Sequence, residues 1–208
     1  EGTLEIKGLR DYALVYVNGE KAGELNRYFN DYSISINIPF NSTLEILVEN
    51  MGRINYGSEI IHNRKGIISE VKINDNTIEG EWEMYGLPMD KVPNFDKMSK
   101  SIFHDNNTEA NSKDLISKPV IYKGTFNLTE VGDTFLDMED WGKGIVFVNG
   151  MNIGRYWHLG PQQTLYIPGV WLKKGRNEIA IFEQQNDKIH TTMRTKKIPV
   201  LTKLNVQK

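Results

Sequence analysis

The chain has 208 residues, 39% hydrophobic and 25% charged, with 25 basic against 27 acidic side chains and a formal net charge of -2. That balance excludes a global field able to gather nucleic acid or an anionic membrane, and leaves small neutral or weakly polar ligands as the favoured partners. The lack of cysteine removes disulfides, thiolate nucleophiles and cysteine-ligated zinc.

The N-terminal "EGTLEIKGLRDY" has no basic region leading into an apolar run, and no apolar stretch reaches the roughly 20 residues of a spanning helix. The chain opens inside strand-like sequence, which is expected of a piece of something longer. Period-2 alternation and short β-branched runs between Gly, Asn, Asp and Pro dominate, and no window sustains the spacing of a long amphipathic helix. The fold class is therefore all-β. Strands are predicted in chain order over Leu4 to Lys7, Leu14 to Val17, Ser33 to Ile38, Thr43 to Val48, Ile67 to Ile73 and Glu81 to Tyr85. A polar stretch from Pro88 to Pro119 follows, far longer than the usual connection of about 4 to 6 residues. Beyond it, strands are predicted over Val120 to Phe126, Thr134 to Asp137, Gly144 to Val148, Thr164 to Ile167, Glu178 to Phe182 and Ile198 to Leu204.

The two halves repeat. "VYVNG" at Val15 to Gly19 returns as "VFVNG" at Val146 to Gly150, an offset of 148 − 17 = 131, and Gly23 then falls on Gly154. Ile38-Pro39 corresponds to Ile167-Pro168 at an offset of 167 − 38 = 129, and "LEILVEN" from Leu44 to "EIAIFEQ" from Glu178 at 178 − 44 = 134. Two copies of one β-sandwich explain the drift as changes in loop length. The expected division is a first sandwich over 1–80, a strand and connecting segment over 81–119, and a second sandwich over 120–208. Asn-Gly is the sequence of a two-residue type I′ hairpin, which needs positive φ at both central positions.

Residues able to carry chemistry are few. Asp137, Glu139 and Asp140 lie in one short turn, where a glycosidase needs two carboxylates on opposite sides of a scissile bond. They read as turn residues, with a structural calcium at Asp137 and Asp140 as the functional alternative. His62, His104, His158 and His190 have no spacing that puts two on one metal. Tyr156 and Trp157 stand open between core packing and a platform for sugar rings, whereas Trp141 and Trp171 read as packing. "RINYG", Arg53 to Gly57, puts a guanidinium, an amide and a phenol in one short loop, either bonded internally or leaning on a partner domain.

"LEILVENMGRINYG" (Leu44 to Gly57) and "WGKGIVFVNGMNIGRYWHLGPQQTLYIPGVWL" (Trp141 to Leu172) resemble the C-terminal β-domains of family 35 glycoside hydrolases, the β-galactosidases. The resemblance runs from about Leu4 to Gln185. It implies two tandem jelly-roll sandwiches of galactose-binding-like fold following a (β/α)8 barrel that holds two catalytic glutamates and hydrolyses terminal β-galactosides with retention. A barrel alone takes roughly 250 residues, so this chain is expected to be a non-catalytic fragment, with no catalytic residue, no cofactor and the barrel as its partner. The first sandwich is expected to be incomplete at its N-terminal strand, with an exposed edge.

Carried over by motif, the loop of Arg53, Asn55 and Tyr56 is expected beside the substrate entrance. Tyr156 and Trp157 are expected at a domain interface or, alternatively, in a galactoside-binding module; a third reading is an assembly domain without ligand. For a bacterial glycan-degrading parent, a periplasmic or extracellular location is expected.

Overall fold

The computed structural model describes residues 1–92 and 116–205, in two compact units, Glu1–Met84 and Tyr85–Lys208. The expected connection between the sandwiches falls largely outside the described residues. Both units are all-β, and the helical turns among the described residues are short 3₁₀ segments such as Arg27–Phe29 and Gly169–Trp171.

The first unit is built from β1 (Gly2–Glu5), β2 (Leu9–Arg10), β3 (Tyr12–Val17), β4 (Glu20–Asn26), β5 (Ser33–Ile36), β6 (Leu44–Glu49), β7 (Gly66–Ile67), β8 (Lys72–Ile73) and β9 (Asn76–Thr77). Its larger sheets run in the orders β5-β1-β8-β9 and β4-β3-β6, with β2 and β7 as a short pair. Alternation along β3 sends Ala13 and Val15 to a core shared with Leu4, Leu25 and Ile36, while Tyr12, Leu14 and Tyr16 group with Leu47 and Met51.

The second unit comprises β10 (Val120–Leu128), β11 (Thr134–Asp137), β12 (Lys143–Val148), β13 (Met151–Trp157), β14 (Thr164–Ile167), β15 (Gly175–Glu183) and β16 (Thr195–Lys196). Its sheets run β10-β15-β12-β13 and β14-β11-β16. Leu136, Val146, Val148, Leu165, Ile167 and Ile181 pack between them, with Trp141 and Tyr156.

The repeat is structural. Hairpin β3-β4 matches β12-β13 at an offset of 131, and both carry a register shift at the same place, between Val15 and Tyr16 and between Val146 and Phe147. Both turns hold the positive φ that type I′ demands, 53° and 77° at Asn18 and Gly19, 49° and 83° at Asn149 and Gly150. Sheet β5-β1-β8 then matches β14-β11-β16. One alignment needs correcting. Val17 pairs with Leu44 and Val148 with Ile179, so β6 lies on β15 at an offset of 179 − 44 = 135, not 134. The slip of one residue exchanges the faces, and it places Val48 on Glu183.

The two copies differ at one edge. β15 has β12 on one side and β10 on the other, whereas β6 has β3 as its single strand neighbour among the described residues. Ile46 is accordingly half-buried where its counterpart Ile181 is 1% exposed.

Some expected strands are not there. Ile67 to Ile73 breaks into β7 and β8, because the chain at Ile68 and Ser69 crosses Gly8 instead of running on: Ile68 N donates to Gly8 O at 3.0 Å and Gly8 N to Ser69 Oγ at 2.7 Å. Glu81 to Tyr85 and Ile198 to Leu204 carry no strand. The latter instead lies along the 159–164 loop through irregular bonds such as Gln163 N to Val200 O at 2.8 Å. β4 and β13 were not expected, since their outward residues are polar and glycine breaks their alternation.

Candidate functional site

The loop after β6 is fixed at its root and open at its tip. Asp11, buried just before β3, accepts from Arg27 Nη1 at 2.8 Å, from Lys65 Nζ at 2.6 Å and from the Met51 amide at 3.0 Å. Burial pushes its carboxyl up, but these bonds outweigh it and hold the group below its ordinary range. The loop is tightened further by Gly52 N donating to Asn50 Oδ1 at 2.8 Å and Ile54 N to Asn63 Oδ1 at 3.4 Å. Beyond this root Arg53, Asn55 and Tyr56 are exposed, Tyr56 at 90%, and Ile61 in the following 3₁₀ turn Ser58–His62 at 82%. The Arg53, Asn55 and Tyr56 side chains bond to no described residue. The loop is thus bonded internally at its root and exposed at its tip.

At the matching corner of the second unit the staple is Glu183, fully buried at the end of β15. Its Oε1 accepts from Lys143 N and Gln185 N and its Oε2 from Gly142 N, each at 2.9 Å, and Tyr156 donates its hydroxyl to Oε2 at 3.1 Å. Burial dominates here and raises the carboxyl above its ordinary value, against the pull of the amides and the phenol.

Tyr156 is therefore a core residue, 4% exposed, with its ring edge-on to Trp141 at 6.3 Å. A ring so covered offers no face to a sugar. Trp157 is half-buried and its ring carries Lys143 Nζ at 5.2 Å. Tyr156 and Trp157 belong to the second unit, and Arg53, Asn55 and Tyr56 to the first.

The acidic turn is neutralised from within. Lys196 Nζ bonds both Asp137 Oδ2, at 3.1 Å, and Glu139 Oε2, and Lys203 Nζ bonds Glu139 Oε1 at 2.6 Å. The two ammonium groups pull the Glu139 carboxyl down to about 2. Among the described residues no three His, Asp or Glu side chains converge as a metal would need, and of the pair named for the calcium alternative, Asp137 is bonded by Lys196. Of the histidines, His190 stacks on Trp141 at 3.9 Å, His62 is exposed, and His104 lies outside the described residues.

Sequence reasoning missed Asp11 and Glu183. The available signal was a charged residue at a position whose alternation points inward, Glu183 after Ile181 in "AIFEQ". It also gave the hairpin asparagines only a turn role. Each in fact clamps the next strand: Asn18 Oδ1 accepts from Thr43 N and Asn149 Oδ1 from Glu178 N, both at 2.9 Å.

Comparison with known proteins agrees with this two-unit organisation. Residues 1–88 match the family model for the first all-beta domain of beta-galactosidase, and residues 119–177 the model for its galactose-binding domain. Beta-galactosidase 1 of Dictyostelium discoideum is 39% identical over 200 residues, covering 86% of this chain and 28% of that protein. Beta-galactosidase-1-like protein 2 of Homo sapiens is 36% identical over 179 residues, covering 85% and 26%, and the beta-galactosidase of Xanthomonas manihotis is 33% identical over 168 residues, covering 80% and 26%. The chain spans about a quarter of the length of these relatives. The chain belongs to the beta-galactosidase family, of which it carries the first all-beta domain and the galactose-binding domain.

Proposed function

We propose that the chain is a non-catalytic part of a β-galactosidase that hydrolyses terminal β-galactosides, bracing a (β/α)8 barrel and shaping its substrate entrance through the Arg53 to Tyr56 loop. The observation that carries this is the loop's build: a root locked by a buried, triply bonded Asp11, and a tip that presents Arg53, Asn55, Tyr56 and Ile61 to no partner among the described residues. A rigid root with an exposed aromatic tip is what a contact surface needs, because little ordering remains to be done on binding. Asp11 is held by two cations and a backbone amide, and Glu183 by three backbone amides and a phenol, arrangements that suit structural carboxylates and not an acid or nucleophile.

The test is Tyr56→Ala in the whole enzyme. The expected result is a fall of about tenfold in kcat/KM on a nitrophenyl β-galactoside, a loss of about 1.4 kcal/mol of transition-state stabilisation, with the thermal midpoint of this region unchanged. The 208-residue chain alone is expected to give no turnover. Unaltered kinetics in Tyr56→Ala would remove the entrance role, and turnover by the chain alone would remove the non-catalytic reading.

A further inference from the structure

The open side of β6 is a row of backbone groups in a known phase. Asn18 N donates to Thr43 O at 2.9 Å, which fixes where the bonds between β3 and β6 fall: the N–H and C=O of Glu45 and Leu47 turn toward β3, and those of Leu44, Ile46 and Val48 turn away from it. The matching bond in the second unit, Asn149 N to Glu178 O at 2.9 Å, sets the same phase there, and the corresponding residues Ile179, Ile181 and Glu183 turn toward β10, which pairs with β15 from Val120 to Leu128. Among the described residues no strand does this for β6. Leu44, Ile46 and Val48 are left half-buried, with their backbone donors and acceptors aimed at an open edge. Such an edge takes an added strand, main-chain bonds supplying the hold and alternate side chains the selectivity.

The repeat identifies the occupant. β10 enters its sheet just ahead of β11, with residues 129–133 between them, and runs antiparallel to β15. The place of β11 is held in the first unit by β1, which lies between β5 and β8 as β11 lies between β14 and β16. A segment leading into β1 through a similar turn therefore reaches the edge of β6 in the same direction and register. At the offset of 135 the place of Tyr122 falls opposite Ile46, that of Gly124 opposite Leu44 and that of Val120 opposite Val48. Tyr122, Phe126 and Leu128 pack on the core of the second unit, so the added strand is expected to carry bulky apolar side chains at alternate positions, one of them over Ile46. A second copy of the chain suits the edge less well. β6 offers it 6 residues, where a stable interface between separate molecules takes roughly 20–30 a side; a segment of the same polypeptide needs no such area, because its tether keeps it at high local concentration.

We propose that the edge of β6 is completed by the extended segment that leads into β1 in the parent polypeptide, added antiparallel and bonded to the backbone of Leu44, Ile46 and Val48. This rests on the reading of the chain as part of a larger enzyme, and not on the entrance role of Tyr56. The test is amide hydrogen exchange resolved to single residues on three samples: the 208-residue chain, the same chain extended N-terminally by the length of β10 and its turn, and the whole enzyme. In the first, the amides of Leu44, Ile46 and Val48 are expected to exchange fast while those of Glu45 and Leu47, bonded to β3, exchange slowly and report that the sheet is formed. In the other two samples the three fast amides are expected to slow by about a hundredfold or more. Fast exchange at these amides in the whole enzyme would overturn the proposal. So would protection in the whole enzyme that the extended chain lacks, which assigns the edge to a different segment, and protection in the 208-residue chain that rises with concentration, which assigns it to a second copy. None of these results bears on the kinetics of Tyr56→Ala, so the two ideas fail separately.

Discussion

Asp11 and Glu183 hold corresponding corners of the two sandwiches from opposite sides. Asp11 matches Gly142 at the offset of 131; in the first unit the carboxylate stands before β3 and reaches the amide after β6, and in the second it stands at the end of β15 and reaches the amides at the start of β12. What the corner requires is an acceptor for otherwise unmet buried amides, and either strand can supply it. Glu183→Ala strips the carboxylate from three amides at once and takes one partner from the Tyr156 hydroxyl, which keeps its contact with Phe182 O. Since one unsatisfied buried donor costs roughly 1–3 kcal/mol, the second unit is expected to lose about 3 kcal/mol or more in urea denaturation. Tyr156→Phe, which removes one bond of the four and leaves the ring packed, is expected to cost about 1 kcal/mol.

At the scale of elements, strand pairing depends on what the backbone permits. β12 and β15 approach so closely at Gly144 that an added Cβ would land on the Phe182 carbonyl and 2.7 Å from the Tyr156 hydroxyl. Gly144→Ala must therefore part the two strands, and a loss of more than about 3 kcal/mol is expected by thermal or chemical unfolding. The matched pair Ile181 and Ile46 tests the unequal edges. Ile181, between two neighbouring strands and 1% exposed, is expected to cost about 3 kcal/mol on substitution by Ala. Ile46, half-buried on a strand with one described neighbour, is expected to cost about 1 kcal/mol. Equal losses would mean that β6 is as well covered as β15.

For the whole molecule, each unit carries a carboxylate held down by two cations, Asp11 by Lys65 and Arg27 and Glu139 by Lys196 and Lys203. A folded-state value below the unfolded one means stability fully present above the unfolded pKa and lost as the pH falls through the folded one. The first unit is therefore expected to lose stability below about pH 3.8 and the second below about pH 4.5, the Glu139 part continuing down to about pH 2. Glu183 has the opposite sign: raised by burial, it favours the folded state most when protonated, and this contribution is lost as the pH rises past its folded value above 4.5. Thermal midpoints between pH 7 and pH 2 measure the balance. Added salt is expected to flatten the Glu139 part, which is open to solvent, and to spare the Asp11 part, which is buried.

The sequence alone was enough for the fold class, the repeat and the two hairpins, because each rests on demands met within a few residues: the sign of φ at Asn18-Gly19 and Asn149-Gly150, and the alternation of Val15, Tyr16 and Val17. It was also enough for the family, through "VENMGRINYG" and "GRYWHLGPQQT". The register of β6 on β15, the burial of Tyr156 and the pairing of Asp137 and Glu139 with Lys196 were decided only in the tertiary structure. So were the corner roles of Asp11 and Glu183. Those features join residues well separated along the chain, such as Asp11 with Met51 and Gly142 with Glu183. Nothing in the local chemistry of an aspartate or a glutamate says which distant amide will be left in need of it.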